Sequence, residues 1–208
     1  MTGYRGRGRP AGLMGFLFGG QADYVKGLMP LFGLCMGLFV FSMVTGFYMG
    51  DRVSMEVLED MLGAFPDLTE MDITLIFLFI LLNNVVKSFV WMVLGVIGSA
   101  PPLFFAILNG FFLGSFSYSV SLEQGLGFTA AALIPHGIVE IPTILLSSAA
   151  GMALGYAVVN SLRGRGSVRQ EFARVIMLFI SRIVPLLLVS ALLEVTLTPM
   201  VIVLLGYV

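Results

Sequence analysis

Five long stretches with almost no charged side chains constrain the fold of this chain more than any other feature. A membrane-crossing helix needs about 20 predominantly apolar residues, which each stretch approaches or exceeds. Over the whole chain, 58% of the 208 residues are hydrophobic and 11% are charged, against roughly 45–50% and about 25% in soluble domains. The composition therefore excludes a soluble globule and predicts an all-α, polytopic transmembrane helix bundle of about five spans. The predicted spans cover residues 28–49, 73–98, 101–120, 128–159 and 175–193.

The fourth stretch is the least regular of the five. Residues 128–159 are too long for one straight crossing, and Pro135 and Pro142 interrupt the helical pattern. Either one strongly kinked span crosses here, or a short re-entrant piece up to about Pro135 precedes the span. The polar segment 121–127 predicts a tight turn before this stretch, and residues 194–199 predict a break after the last span.

The segments between the spans differ in the sign of their charge. Residues 1–27 form a basic arm followed by an interfacial apolar segment, and residues 161–174 form a basic loop. Residues 51–72 form an acidic loop, in which apolar positions at spacings of three and four predict a short amphipathic surface helix. The positive-inside rule then predicts a multi-pass cell-membrane protein with its N-terminus and the basic loop in the cytoplasm and the acidic loop outside.

Several polar side chains lie inside the predicted spans, where ionisable groups are costly and usually face partners within the bundle. His136 and Glu140 are four residues apart, so they share a face wherever the backbone is helical. One interpretation is a polar clamp in which Glu140 pairs with Lys87 or Arg182. The other is a proton relay, an ion site or a general acid–base pair. The predicted polar cluster comprises Asn83, Asn84, Lys87, Asn109, His136, Glu140 and Arg182.

The sequence gives little support for catalysis, cofactors or nucleic acid. His136 and Cys35 are the only residues of their types, whereas catalytic zinc usually takes three protein ligands drawn largely from His and Cys. There is no HExxH motif and no Gly-x-Ser-x-Gly elbow. The net charge of −1 gives no reason to expect nucleic-acid binding. We therefore expect no catalytic residues, no metal and no cofactor.

Glycines four residues apart recur along the spans and permit close approach between helices, within one chain or between copies in a homo-oligomer. The pairs are Gly33 and Gly37, Gly46 and Gly50, Gly110 and Gly114, and Gly151 and Gly155.

Three strings between residues 73 and 156 resemble the stage II sporulation protein M family of integral membrane proteins. They are Asn109-Gly110-Phe-Phe-Leu-Gly114, Pro135-His136-Gly137-Ile-Val-Glu140-Ile-Pro142 and Gly151-Met-Ala-Leu-Gly155. In spore-forming bacteria, members look like non-catalytic partners that hold cell-wall-degrading enzymes at the engulfing septum. The resemblance implies a membrane scaffold that acts in envelope remodelling through membrane or envelope proteins. The alternative is a transporter or channel for an ion, proton or lipid that uses His136 and Glu140.

Overall fold

A computed structural model describes residues 21–53 and 72–207, and within these residues the chain is helical with no strands. The all-α prediction is confirmed. The predicted basic arm and interfacial segment up to residue 20, and most of the acidic loop with its predicted amphipathic helix, lie outside the described residues. The helices are α1 (Gln21–Tyr48), α2 (Ile73–Val93), α3 (Ala100–Leu162), α4 (Val168–Leu178) and α5 (Val184–Leu204).

Four helical rods in the described part of the chain are long and apolar enough to cross a membrane. They are Gln21–Tyr48, Ile73–Ile97, Ala100–Leu162 and Val168–Leu204. The second rod is α2 extended by a 3-10 turn, and the last joins α4 to α5 through the π-helix Phe179–Ile183. Many large apolar side chains on these rods point outward, as expected when lipid is the solvent. The chain is therefore a membrane protein by its fold as well as by its composition.

The longest helix, α3, folds back on itself at Gly125. This residue has φ 86° and ψ 159°, a conformation that glycine adopts without the clash of a Cβ. The Ser99 hydroxyl, just before α3, donates to the Met152 carbonyl at 2.9 Å, and Ala106 shares a buried cluster with Leu145. In each of these two pairs, the residues are about equally distant from Gly125 along the sequence, one before it and one after it. Residues 100–124 and 126–162 therefore run antiparallel to each other as two arms. The polar turn predicted at 121–127 is thus reduced to one non-helical residue.

The prolines of the fourth predicted span do not break the helix. Gly125 is the one residue of α3 with non-helical φ and ψ, so the second arm runs through Pro135 and Pro142. Neighbouring helices in a bundle can satisfy the backbone groups that a proline leaves free. The last helix likewise runs through Pro199 to Leu204, beyond the break predicted at residues 194–199.

Most of the predicted glycine pairs lie where helices touch. A Cβ added at Gly114 would collide with the backbone of α1 at Met43, and one at Gly151 would collide with Met92 of α2. Gly110 and Gly155 are equally tight against Phe39 and Ser99. Gly33 and Gly37 have nothing within 4 Å. These close approaches pack α3 against α1 and α2, while α5 covers its second arm.

Candidate functional site

The second arm of α3 places His136 and Glu140 against α5. Because this arm is helical through Pro135 and Pro142, the two side chains, four residues apart, project from the same face. Nδ1 of His136 lies 3.3 Å from the Thr198 hydroxyl. The Ser190 hydroxyl lies 3.1 Å from Oε2 of Glu140 and donates to it. Both partners belong to α5, so these contacts join the two helices.

Glu194 completes the site, and the sequence analysis did not find it. It lies between Ser190 and Thr198 at a spacing of four on each side, so the three residues share one face of α5. One ligand-type atom from each of His136, Glu140 and Glu194 lies within 4.8 Å of the other two. The sequence predicts a break at residues 194–199, a segment that begins with Glu194. The sequence does carry a signal for this site, because Ser190, Glu194 and Thr198 recur at every fourth position of an apolar segment. This spacing indicates a helix with one polar face.

The site lies well inside the bundle. Glu194 is ten residues before the end of α5 at Leu204, which is about 15 Å at the helical rise of about 1.5 Å per residue. A bilayer hydrocarbon core is about 30 Å thick. The cluster therefore lies about 15 Å from the C-terminal end of α5, roughly half of that thickness.

A cavity of about 110 Å³ opens beside the cluster, between the two arms of α3 and α1. His136 and Glu140 contribute its charged or titratable wall, together with the amide of Asn109. The Asn109 amide nitrogen donates to the Phe105 carbonyl at 2.8 Å, which holds the side chain along its own helix. The remaining wall is formed by Gly137 and apolar side chains, among them Phe39 of α1.

Only some of the other residues of the predicted polar cluster lie near His136 and Glu140. Asn84 of α2 hydrogen-bonds to the Glu140 carboxylate. Asn83 is adjacent in sequence, and neighbouring helical residues do not share a face, so the two amides point in different directions. Lys87 is half-buried one turn further along α2, whereas Arg182 is exposed on the π-helix. The structure thus joins Asn84, Asn109, His136 and Glu140, while Arg182 lies about two turns before Ser190.

The residue types define what this arrangement can bind. It presents one imidazole and two carboxylates, which are proton acceptors and also nitrogen and oxygen ligands for metal ions. Two ionised carboxylates this close repel each other strongly where the effective dielectric constant is low. The cluster is therefore suited to sharing a proton or holding a cation.

A second group of polar contacts ties α1 to α4 away from this site. The Tyr24 hydroxyl at the start of α1 donates to Oε1 of Glu171 on α4 at 2.7 Å. Arg174 donates to the other oxygen of the same carboxylate at 3.3 Å. The beginning of α1 and the basic segment around α4 therefore lie at the same end of the bundle.

Comparison with protein-family models matches residues 28–199 to "Stage II sporulation protein M". Among curated proteins, the chain is 29% identical over 124 residues to "Uncharacterized protein MJ0793" of Methanocaldococcus jannaschii, which covers 58% of this chain and 69% of that protein. No solved structure matches the chain. The family match reaches from α1 to α5 and confirms the resemblance carried by the three sequence strings.

Proposed function

This chain belongs to the stage II sporulation protein M family, and from that membership we propose that it is a non-catalytic membrane scaffold. It would act in cell-envelope remodelling through protein partners. The observation that carries the proposal is the family match over residues 28–199, which includes nearly the whole helical bundle. The interior supports it, because buried hydroxyls are used to join helices: Ser115 donates to the Gly46 carbonyl and Ser147 to the Ser88 carbonyl.

The scaffold crosses the cell membrane five times in this proposal, with its N-terminus in the cytoplasm. The Tyr24–Glu171 hydrogen bond supports this topology by placing the start of α1 beside the basic segment 161–174. The fold of α3 at Gly125 supports it as well, because each of its two arms is longer than the roughly 20 residues that one crossing needs. The positive-inside rule assigns the basic end to the cytoplasm.

Cysteine labelling in intact cells tests this topology. The native Cys35 is buried, so it contributes little background. A thiol reagent that cannot cross the membrane should modify an Asp60→Cys variant and spare Arg165→Cys. Labelling of Arg165→Cys with protection of Asp60→Cys would show that the orientation is reversed.

Partner association is tested by crosslinking the full-length protein in its own cells and identifying the captured proteins. We expect envelope enzymes to be enriched over those captured by an unrelated multi-pass protein of equal abundance. His136→Gln should retain this association, because glutamine keeps a donor and an acceptor while losing only the ability to titrate. No enrichment of envelope proteins in repeated captures would contradict a scaffold.

The cavity beside His136 and Glu140 favours a second candidate function, the transport of a small ion or of protons. Transporter sites commonly lie near the bilayer midplane and are lined by polar groups from facing helices. A transporter should lose flux in proteoliposomes when His136 is replaced by Gln, although the variant folds. A scaffold should show no flux above that of protein-free vesicles.

A further inference from the structure

We propose that His136, Glu140 and Glu194 bind one divalent transition-metal ion between α3 and α5. This site goes beyond the scaffold proposal and does not depend on it, since a structural metal serves a scaffold as well as a transporter. One possible metal-ligand atom from each of these three side chains lies within 4.8 Å of the other two. Nitrogen and oxygen ligands of such ions lie about 2.0–2.2 Å from the metal, so ion binding would draw these three atoms closer together.

Charge balance favours a divalent ion over a monovalent one. Two carboxylates and a neutral imidazole carry a charge of about −2, which a divalent cation cancels. A monovalent cation would leave one negative charge uncompensated in an apolar bundle, where unbalanced charge is costly. Each ligand also comes from a helix that is anchored by packing, so the site is held between two rigid elements.

The neighbours of His136 and Glu140 are those that a metal site needs. Metal-binding histidines almost always use their second ring nitrogen for a hydrogen bond, and metal-binding carboxylates are hydrogen-bonded in turn. Nδ1 of His136 lies 3.3 Å from the Thr198 hydroxyl, so the proposal assigns Nε2 to the ion. Glu140 accepts hydrogen bonds from Ser190 and Asn84, which fix the direction of its carboxylate.

The cavity supplies room for the remaining coordination positions. Three protein ligands leave at least one position of a four-coordinate ion to water. The cavity of about 110 Å³ touches His136 and Glu140, and one water needs only about 10–15 Å³ of such space. Water bound to the ion would therefore lie on the side of the cluster that faces Asn109.

The donor set selects the class of metal. Imidazole suits Zn²⁺, Fe²⁺ and related ions, carboxylates suit Mn²⁺ and harder ions, and the site contains no thiolate that would select Cu⁺. A site with one nitrogen and two carboxylate ligands therefore fits Zn²⁺, Mn²⁺ or Fe²⁺. It was not foreseen from the sequence because the third ligand, Glu194, is distant from the other two along the chain.

The test is metal binding by the purified full-length protein, carrying an affinity tag without histidine. After removal of metals with a chelator, wild-type protein should bind about one equivalent of Zn²⁺ and develop visible absorption bands with Co²⁺. His136→Gln, Glu140→Gln and Glu194→Gln should each weaken Zn²⁺ binding by at least about 10-fold. Thr198→Val, which removes the hydroxyl beside Nδ1, should weaken it by about 10–100-fold without removing a ligand.

Glu123→Gln is the matched control, because Glu123 is an exposed glutamate near the fold of α3. It should bind Zn²⁺ as the wild type does, and Zn²⁺ should raise the melting temperature of both. Equal Zn²⁺ affinity in all variants would overturn the proposal, since the bound ion would then lie elsewhere. Wild-type protein that shows neither Co²⁺ bands nor a Zn²⁺-dependent melting temperature would also overturn it and would leave a shared proton as the cluster's charge balance.

Discussion

Replacing Gly151 by alanine should leave the bundle less stable than the same substitution at Gly33 does. A Cβ at Gly151 would lie 2.7 Å from Cγ of Pro102 and 2.8 Å from the Met92 carbonyl oxygen. Relieving this overlap requires α2 and the start of α3 to move away from the second arm. Overpacking of this kind costs about 1–3 kcal/mol. Gly33, in contrast, has nothing within 4 Å of an added Cβ.

The two variants are matched because each replaces a helical glycine in an apolar segment. Alanine is favoured over glycine in a helix by about 1 kcal/mol, and this gain is common to both positions. The difference between the variants therefore isolates the overlap and should be about 1–3 kcal/mol in favour of Gly33→Ala. For a domain of this size, that corresponds to roughly 2–12 °C in melting temperature.

Thermal unfolding in one detergent, followed by circular dichroism, measures this difference. Gly151→Ala should melt below the wild type or close to it, and Gly33→Ala should melt at the wild-type temperature or above. A Gly151→Ala protein that melts as high as Gly33→Ala would refute the close approach of the second arm of α3 to α2.

Two further predictions concern a helix cap and a buried carboxylate. Hydrogen bonds from the side chain and the backbone N–H of Thr74 hold the pKa of Asp72 below its ordinary value of 3.8. Because this pKa is lowered in the folded state, the cap stabilises α2 fully above the ordinary pKa and loses this effect as pH falls through the lowered value. Hydrogen exchange should therefore show that the first turn of α2 is less protected in Asp72→Ala than in the wild type at neutral pH. In acid, the protection of the wild type should fall to that of the variant. A difference that persists in acid would argue against the charged cap. Glu140→Ala should lower the unfolding free energy by about 1–3 kcal/mol, because it leaves buried hydrogen-bond donors unpaired. The control Glu123→Ala should change the unfolding free energy by no more than about 0.5 kcal/mol. Equal melting temperatures of the two variants would contradict this prediction.

Much of the fold was predictable because membrane crossing imposes a strict pattern on the sequence. The helical class and the approximate positions of the apolar segments follow from hydropathy alone. The glycine strings also indicated where helices approach closely, and Gly110 and Gly151 lie at such contacts. At Gly33 the same spacing has no neighbour, because a glycine pair permits contact without requiring it.

Tertiary packing keeps the chain helical at three prolines where the local sequence predicts a break. Pro135, Pro142 and Pro199 each predict an interruption, yet each lies inside a helix. The bundle decides this, since packed neighbours hold the chain helical where an isolated segment would kink or end. Gly125, one of many glycines in the chain, forms the actual break in α3 because the chain must reverse there.

The site was only half predictable for a related reason. The spacing of His136 and Glu140 is local, so the helical period alone brings the two side chains together. Glu194 reaches them through the rotation of α5 about its axis and its position against α3, which no short-range pattern specifies. Its two neighbours on the polar face of α5, Ser190 and Thr198, become meaningful once the helix is known to continue beyond residue 194.

We propose that His136 and Glu194, from two different helices, act as one unit. A double-mutant cycle with His136→Gln and Glu194→Gln, using the unfolding free energy in mixed detergent micelles, measures their coupling directly. We predict a coupling of at least about 0.5 kcal/mol, the level seen for residues in contact or in one polar network. The control cycle of His136→Gln with Glu123→Gln should be additive. Additive effects in the His136–Glu194 cycle as well would contradict the claim.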